Sequence, residues 1–187
     1  MDFSLIILAG GKSSRMGTDK GLMTFINRPM ISHVSEKMKG LFSETIIVSE
    51  NKKYLSFCDK LVPDNHKGVG PLGGIEAGLL ASKNSKNIIL SCDNPLIETV
   101  VIEHLIKHHS SAQVIFSQNK KTHPFPGYYN QSIVQELTSL INEGARKLSS
   151  LENHFELLKL DCSMFNSDNF INFNSQSDIK KYHESNR

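Results

Sequence analysis

Glycines and cations crowd together near the start of the chain, in "LAGGKSSRMGTDKG", residues 8–21. Gly10 and Gly11 allow a turn tight enough to aim successive backbone N–H groups at an anion. Arg15 can grip two oxygens at once, while Lys12 and Lys20 act as mobile point charges. Such residues at such spacing suit a polyphosphate; the alternative is a tight turn with solvated charges. Two common phosphate loops are excluded. "GKS" ends like a nucleotide-triphosphatase loop, but the glycine required five positions before Gly11 is Ile6. The dinucleotide pattern G-x-G-x-x-G fails too, because Lys12 and Arg15 occupy its second and third glycine positions.

Further residues with chemical potential follow later. In "ILSCDNP" (89–95), Asp93 ends an apolar run. One carboxylate there could hold Mg²⁺, which keeps much of its water and also takes substrate phosphates; a turn aspartate before Asn-Pro is the alternative. In "LVPDNHKGVGPLGG" (61–74), Asp64 precedes a glycine-rich loop containing Gly73 that leads into a helix. "THPFPGYYN" (122–130) carries His123, and "EGARKLSSL" (143–151) carries Arg146 after a helix, where it could meet a phosphate or be solvated. "FINFNS" (170–175) alternates apolar residues with Asn172 and Asn174. His104, His108 and His109 share one helix, the first two at zinc-binding spacing. No glutamate follows as H-E-x-x-H requires, so they read as an exposed face.

The elements that must position these residues alternate. "LIILA" (5–9), "TIIVS" (45–49), "NIILSC" (87–92) and "AQVIFS" (112–117) are apolar on both faces, as in buried strands of a mostly parallel sheet. Helical spacing appears in "RPMISHVSEKMKGLF", "PLGGIEAGLLASK", "ETVVIEHLIKHH" and "SIVQELTSLINEG". The two prolines of "HPFPGYYN" predict an edge strand or a loop. "FELLKLD" and "NFINFN" read as short strands, and "SQSDIKKYHE" as a closing helix capped by a serine. The pattern is α/β, one domain over residues 1–187. Ligands of such sheets sit beyond the C-terminal strand ends, where the candidate residues fall.

A net charge of +2 is too small to argue for a nucleic-acid partner, so any anion site must come from local placement. Three scattered cysteines without C-x-x-C suggest neither a disulfide framework nor a zinc ribbon, and favour a reducing compartment. No signal segment or run of ~20 apolar residues is visible, so a cytoplasmic protein with no membrane contact is expected.

The first loop, L-A-G-G-x-S-x-R-M-G-x-D-K from Leu8 to Lys20, resembles the signature loop of the molybdenum cofactor guanylyltransferase family, within the nucleotidyltransferases. Its double glycine is closer to the guanylyl than to the cytidylyl relatives. The resemblance extends to C-D-x-P at Asp93, G-P-L-x-G through Gly73, H-P at His123, a basic stretch at Arg146 and a closing F-x-N-x-N. It implies a three-layer Rossmann-like sandwich with a mostly parallel central sheet, like the nucleotide-diphospho-sugar transferases. It implies transfer of GMP from GTP to the terminal phosphate of molybdenum-bearing molybdopterin, with pyrophosphate released. Arg15, Lys20 and Asp93 would be catalytic. Leu8, Ala9, Gly10, Gly11, Lys20, Asn51, Asp64, Gly73 and Asp93 would bind nucleotide, with Mg²⁺ on Asp93. His123, Arg146, Asn172 and Asn174 would bind the acceptor. Cofactor-delivery proteins or molybdoenzymes would be transient partners. The family often has asparagine where Ser49 stands, with Asn51 here two residues on. Alternatives are cytidylyl transfer to molybdopterin, nucleotidyl transfer to a sugar or alcohol phosphate, and a non-catalytic nucleotide-binding protein.

Overall fold

A computed structural model of the chain describes residues 2–10, 19–66 and 68–185. Gly11, Lys12 and Arg15 therefore lie outside the described residues. In chain order the elements are β1 (Phe3–Leu8), a small hairpin of β2 (Thr24–Phe25) and β3 (Arg28–Pro29), α1 (Met30–Lys37), β4 (Glu44–Val48), β5 (Lys60–Val62), α2 (Pro71–Ala81), β6 (Lys86–Ser91), α3 (Thr99–Lys107), β7 (Val114–Gln118), β8 (Thr122–Asn130), α4 (Val134–Asn142), β9 (Leu157–Asp161) and α5 (Gln176–Ser185).

Seven strands form one sheet in the order β5-β4-β1-β6-β8-β7-β9. Only β8 runs antiparallel to its neighbours. Successive strand residues face opposite sides, and here both sides are covered. Leu5, Ile7, Ile88 and Leu90 pack with Ile31 and Val34 of α1 and Val101, Ile102 and Leu105 of α3. Ile6, Ile46 and Ile89 pack on the other face with Leu72, Ile75 and Leu79 of α2 and Leu137 and Ile141 of α4. The result is helix, sheet, helix, as the alternation predicts. Each such buried side chain contributes roughly 1.5–3 kcal/mol.

Two expectations are corrected. "HPFPGYYN" is neither an edge strand nor a loop: its last residues lie in β8 between β6 and β7, with Gly127 opposite both Ile89 and Phe116. The prolines are tolerated because the ladder is interrupted where they stand. The β7–β8 register jumps from Phe116↔Gly127 to Ser117↔His123, leaving 124–126 in a bulge. The bulge folds down on the sheet, so a Cβ on Gly127 would stand 2.3 Å from Pro124 O. "NFINFN" is not a strand. Ser167–Phe170 is a 3-10 turn and the following residues are irregular. Its apolar residues are divided instead: Phe170 packs into the main core, while Phe173 joins Met23, Phe25, Met30 and Ile179 in a satellite cluster. "FELLKLD" does form a strand, β9, beside β7.

The strand order explains where a ligand can enter. From β1 the chain moves outward to β4 and β5, then returns through α2 to β6 on the other side of β1. The loops after β1 and β6 thus part at a reversal of strand order, the place where open α/β sheets leave a crevice.

Candidate active site

Hydrogen bonds continue the ladders just past the strand ends at this reversal. Ala9 N donates to Val48 O at 3.1 Å, Ser49 N to Val62 O at 2.8 Å, and Cys92 N to Leu8 O at 3.1 Å. The backbones carrying Leu8, Ala9, Gly10, Ser49 and Asp93 are therefore locked side by side. Leu8 and Ala9 are largely covered, while Gly10 is exposed at the mouth.

Lys20 and Asp93 meet across the crevice. Lys20 begins a 3-10 turn, Lys20–Leu22, and its Nζ lies 3.8 Å from Asp93 Oδ2. The same Nζ donates to Asn174 Oδ1 at 2.5 Å. Ser91 Oγ donates to Asp93 Oδ1 at 2.6 Å, which turns the carboxylate. Phe173 N donates to Asp93 O at 2.9 Å, tying the C-terminal segment to the same residue. Asn174 is fixed in turn by α5. Ser175 Oγ accepts from Asp178 N at 3.2 Å, and Asp178 Oδ2 accepts from Asn174 N at 2.9 Å. This is a serine cap, as the sequence predicts, and the aspartate also holds the backbone of the residue before it.

Asn51 and Tyr54, the latter not named from the sequence, anchor the residue just before Lys20. Asp19 accepts hydrogen bonds from Tyr54 OH and, at 2.9 Å, from Asn51 Nδ2. Asn51 Oδ1 accepts from Lys53 N at 3.1 Å, and Asn51 N donates to Ser49 Oγ at 3.1 Å. Asn51 is thus engaged at both ends of its amide, and it orients Asp19. Tyr54 is fully buried; burial, then neighbouring Cys92 and Asp19, push its phenol well above the usual range, so it stays a donor. Gly21 leaves room for this packing, since a Cβ there would meet Tyr54 OH at 2.5 Å. Asp19 stands inside the first loop, but its partners lie more than thirty positions away, beyond the reach of local pattern.

Asp64 follows β5, and its Oδ1 accepts from His66 N at 2.9 Å. A Cβ on Gly73 would stand 2.6 Å from that oxygen, so glycine is required where the start of α2 meets Asp64. On the opposite side, Asn119, Lys120, Lys121, His123, Phe170, Asn172 and Asn174 line an open cleft of about 680 Å³, together with Ser167 and Ile171. His123 Nε2 bonds Asn119 Oδ1 at 2.9 Å, and its ring lies 4.8 Å from that of Phe170. Burial, aided by the Lys121 charge, lowers its pKa and favours the neutral ring. Arg146 is apart from this cleft. Its guanidinium donates to Ile141 O at 3.0 Å and Ala145 O at 2.7 Å, closing the end of α4. His104 and His108 are engaged with backbone carbonyls: His104 Nε2 donates to Asp161 O at the end of β9 and His108 Nδ1 to His104 O. Among the described residues no group of three or more potential metal-ligating side chains gathers.

Comparison with known proteins places the chain in a family and a fold. The family model of the MobA-like NTP transferase domain matches residues 5–157. A probable molybdenum cofactor guanylyltransferase of Flavobacterium johnsoniae is 34% identical over 180 residues, covering 92% of each chain. A molybdenum cofactor guanylyltransferase of Pseudomonas entomophila is 32% identical over 181 residues, covering 92% of this chain and 93% of that one. The crystal structure of molybdopterin-guanine dinucleotide biosynthesis protein A from Archaeoglobus fulgidus superimposes with a TM-score of 0.81 at 24% identity, covering 97% of both chains. The 4-diphosphocytidyl-2C-methyl-D-erythritol synthase of Anaerococcus prevotii shares the fold at a TM-score of 0.77 and 12% identity, covering 99% of this chain and 96% of that one. With the signature loop, the sheet order and full-length relatives in agreement, the chain belongs to the MobA-like NTP transferase domain family, whose members here share the nucleotide-diphospho-sugar transferase fold.

Proposed function

We propose that the chain, as one nucleotidyltransferase domain, transfers GMP from GTP to the terminal phosphate of molybdenum-bearing molybdopterin. The observation that carries the reading is Lys20, whose ammonium stands between Asp93 and the cleft residue Asn174. A cation at that junction suits a reaction joining two anions. An oxygen of the acceptor phosphate attacks the α-phosphorus of GTP, forming a new P–O bond. The bond to the β-phosphate oxygen breaks, and pyrophosphate leaves with the electron pair. The attacking oxygen is already anionic at neutral pH, so the chain need not remove a proton. Its task is to align two highly charged groups and offset their repulsion.

Gly10 and Gly11, with Arg15 and Lys20, would hold the triphosphate. Asp64 and Gly73 would meet the nucleoside end. His123, Asn172 and Asn174, with Lys121, would hold the acceptor; Arg146, turned to its own helix end, would reach it only by moving. The oxygen donor of Asp93, outside any cluster of three or more ligating side chains among the described residues, suits Mg²⁺, which takes few protein ligands and shares the rest with water and phosphates. Bound there, Mg²⁺ would neutralise phosphate charge and stabilise the leaving pyrophosphate. The free thiols Cys58, Cys92 and Cys162 suit the reducing cytoplasm. Exchange with cofactor-delivery proteins or molybdoenzymes fits an open cleft.

The test is pyrophosphate release from GTP, CTP, UTP and ATP with Mg²⁺ and molybdopterin. GTP alone should support rapid release. Preference for CTP would make the chain a cytidylyltransferase, and nucleotide binding without release would make it a non-catalytic binder.

A further inference from the structure

Glu76 is a charged side chain in the otherwise apolar α2, and only 2% exposed. A buried carboxylate is costly unless it is compensated. Its Oε1 accepts from Thr138 Oγ1 of α4 at 2.5 Å. Its Oε2 faces His66 Nε2 at 2.8 Å, an ion-pair contact without hydrogen-bond geometry, so among the described residues this oxygen has no hydrogen-bond partner. His66 belongs to the turn that carries Asp64: its N–H serves Asp64 Oδ1, and its carbonyl accepts from Val69 N at 3.1 Å. Its Cβ would lie 3.2 Å from a Cβ on Gly73. His66 is therefore wedged between Asp64, Gly73 and Glu76.

The sheet does not require this arrangement. β5 is an edge strand of three residues, and the loop after it has glycines with positive φ at Gly68 and Gly70. Such a loop has little stiffness of its own. Glu76 ties it to α2 and α4, the rigid helical layer beneath. The location also says which end of a nucleotide is served. β5 lies two strands, roughly 10 Å, from β1, whose loop carries the cations. A carboxylate at that distance repels phosphate but accepts from the N–H groups of a purine or from ribose hydroxyls.

We propose that Glu76 and His66 are positioning residues that hold Asp64 and the Gly73 turn in register with the nucleoside, so that this subsite discriminates between bases. The inference rests on the nucleotidyl-transfer reading. Glutamine at 76 keeps the shape and polarity of the contact, since its carbonyl can face His66 and its amide can donate to Thr138 Oγ1, whose own proton can serve Val134 O at 3.0 Å.

Calorimetry with GTP and CTP plus Mg²⁺, and turnover with molybdopterin, test it on wild type, Glu76→Ala, Glu76→Gln and His66→Ala. Both alanine variants should weaken GTP binding and raise its KM ~10-fold, with kcat within about twofold. Their preference for GTP over CTP should fall, and Glu76→Gln should stay near wild type. His66 is partly exposed, so His66→Ala remains informative even if Glu76→Ala folds poorly. A lowered melting temperature with unchanged GTP KM in the alanine variants would mean a merely structural role and overturn the inference alone. Wild type that binds neither triphosphate overturns the transfer reading and this inference together.

Discussion

At the scale of residues, the charge offset proposed for Asp93 can be removed by a single substitution. Asp93→Ala should lower kcat about 10³-fold, roughly 4 kcal/mol of barrier, because the charge offset at the transferred phosphate is lost. Its melting temperature should stay within a few degrees of wild type, since the Asp93 backbone bonds remain; turnover against Mg²⁺ concentration checks both. Tyr54→Phe removes one of the two donors on Asp19 and should raise the KM for GTP while costing ~1–3 kcal/mol of stability, measurable by urea unfolding. His123 gives a pH signature. Its folded pKa is depressed, so its contribution to stability is full above the unfolded value near 6.5 and is lost as pH falls through the lower folded value. Melting temperature should therefore drop between about pH 7 and 5, and His123→Gln should flatten that slope. Lys20 and Asp93 are legible in sequence because a loop signature and a strand-end carboxylate are local patterns. The engagement of Asn51 with Asp19, the turn of Arg146 toward its own helix and the pairing of Glu76 with His66 are not, because each depends on which side chains consume a polar group after folding.

At the scale of elements, apolar runs with β-branched residues were sufficient to read the parallel strands and the helices between them. The departures occur where the chain leaves regular periodicity. Proline in "HPFPGYYN" argues against a central strand, yet the strand survives because a bulge at 124–126 takes both prolines out of the ladder. Alternation in "NFINFN" argues for a strand, but its aromatics are divided between two clusters instead, Phe170 in the main core and Phe173 in the satellite cluster. The bulge makes its own prediction. Gly127→Ala would press a methyl group against the Pro124 carbonyl and should cost ~1–3 kcal/mol, seen as a lower melting temperature.

At the scale of the whole molecule, the segment beyond β9 is a working wall rather than a tail. It supplies Asn172 and Asn174 to the cleft and packs Phe173 and Ile179 over Phe25. Ending the chain after Asn169 should strip that cluster of its cover, lower the melting temperature and abolish acceptor-dependent turnover. GTP binding by calorimetry should persist within about tenfold, since the loops after β4 and β5 are untouched and the loop after β1 loses only the Asn174 bond to Lys20 and the cover of Phe173. Among the described residues no helix is long and apolar enough to cross a membrane.

Asp93 is held at both of its ends. Its carboxylate faces Lys20 and its carbonyl receives Phe173 N. One amino acid therefore acts as the gauge between two compartments: any drift of the far wall is transmitted to the near one through a single peptide unit. In-line displacement tolerates errors well under an ångström, and a slip of ~1 Å can cost ~10²-fold in rate. On the proposed reading, the two reactants would be spaced by covalent geometry rather than by the compliance of a loop.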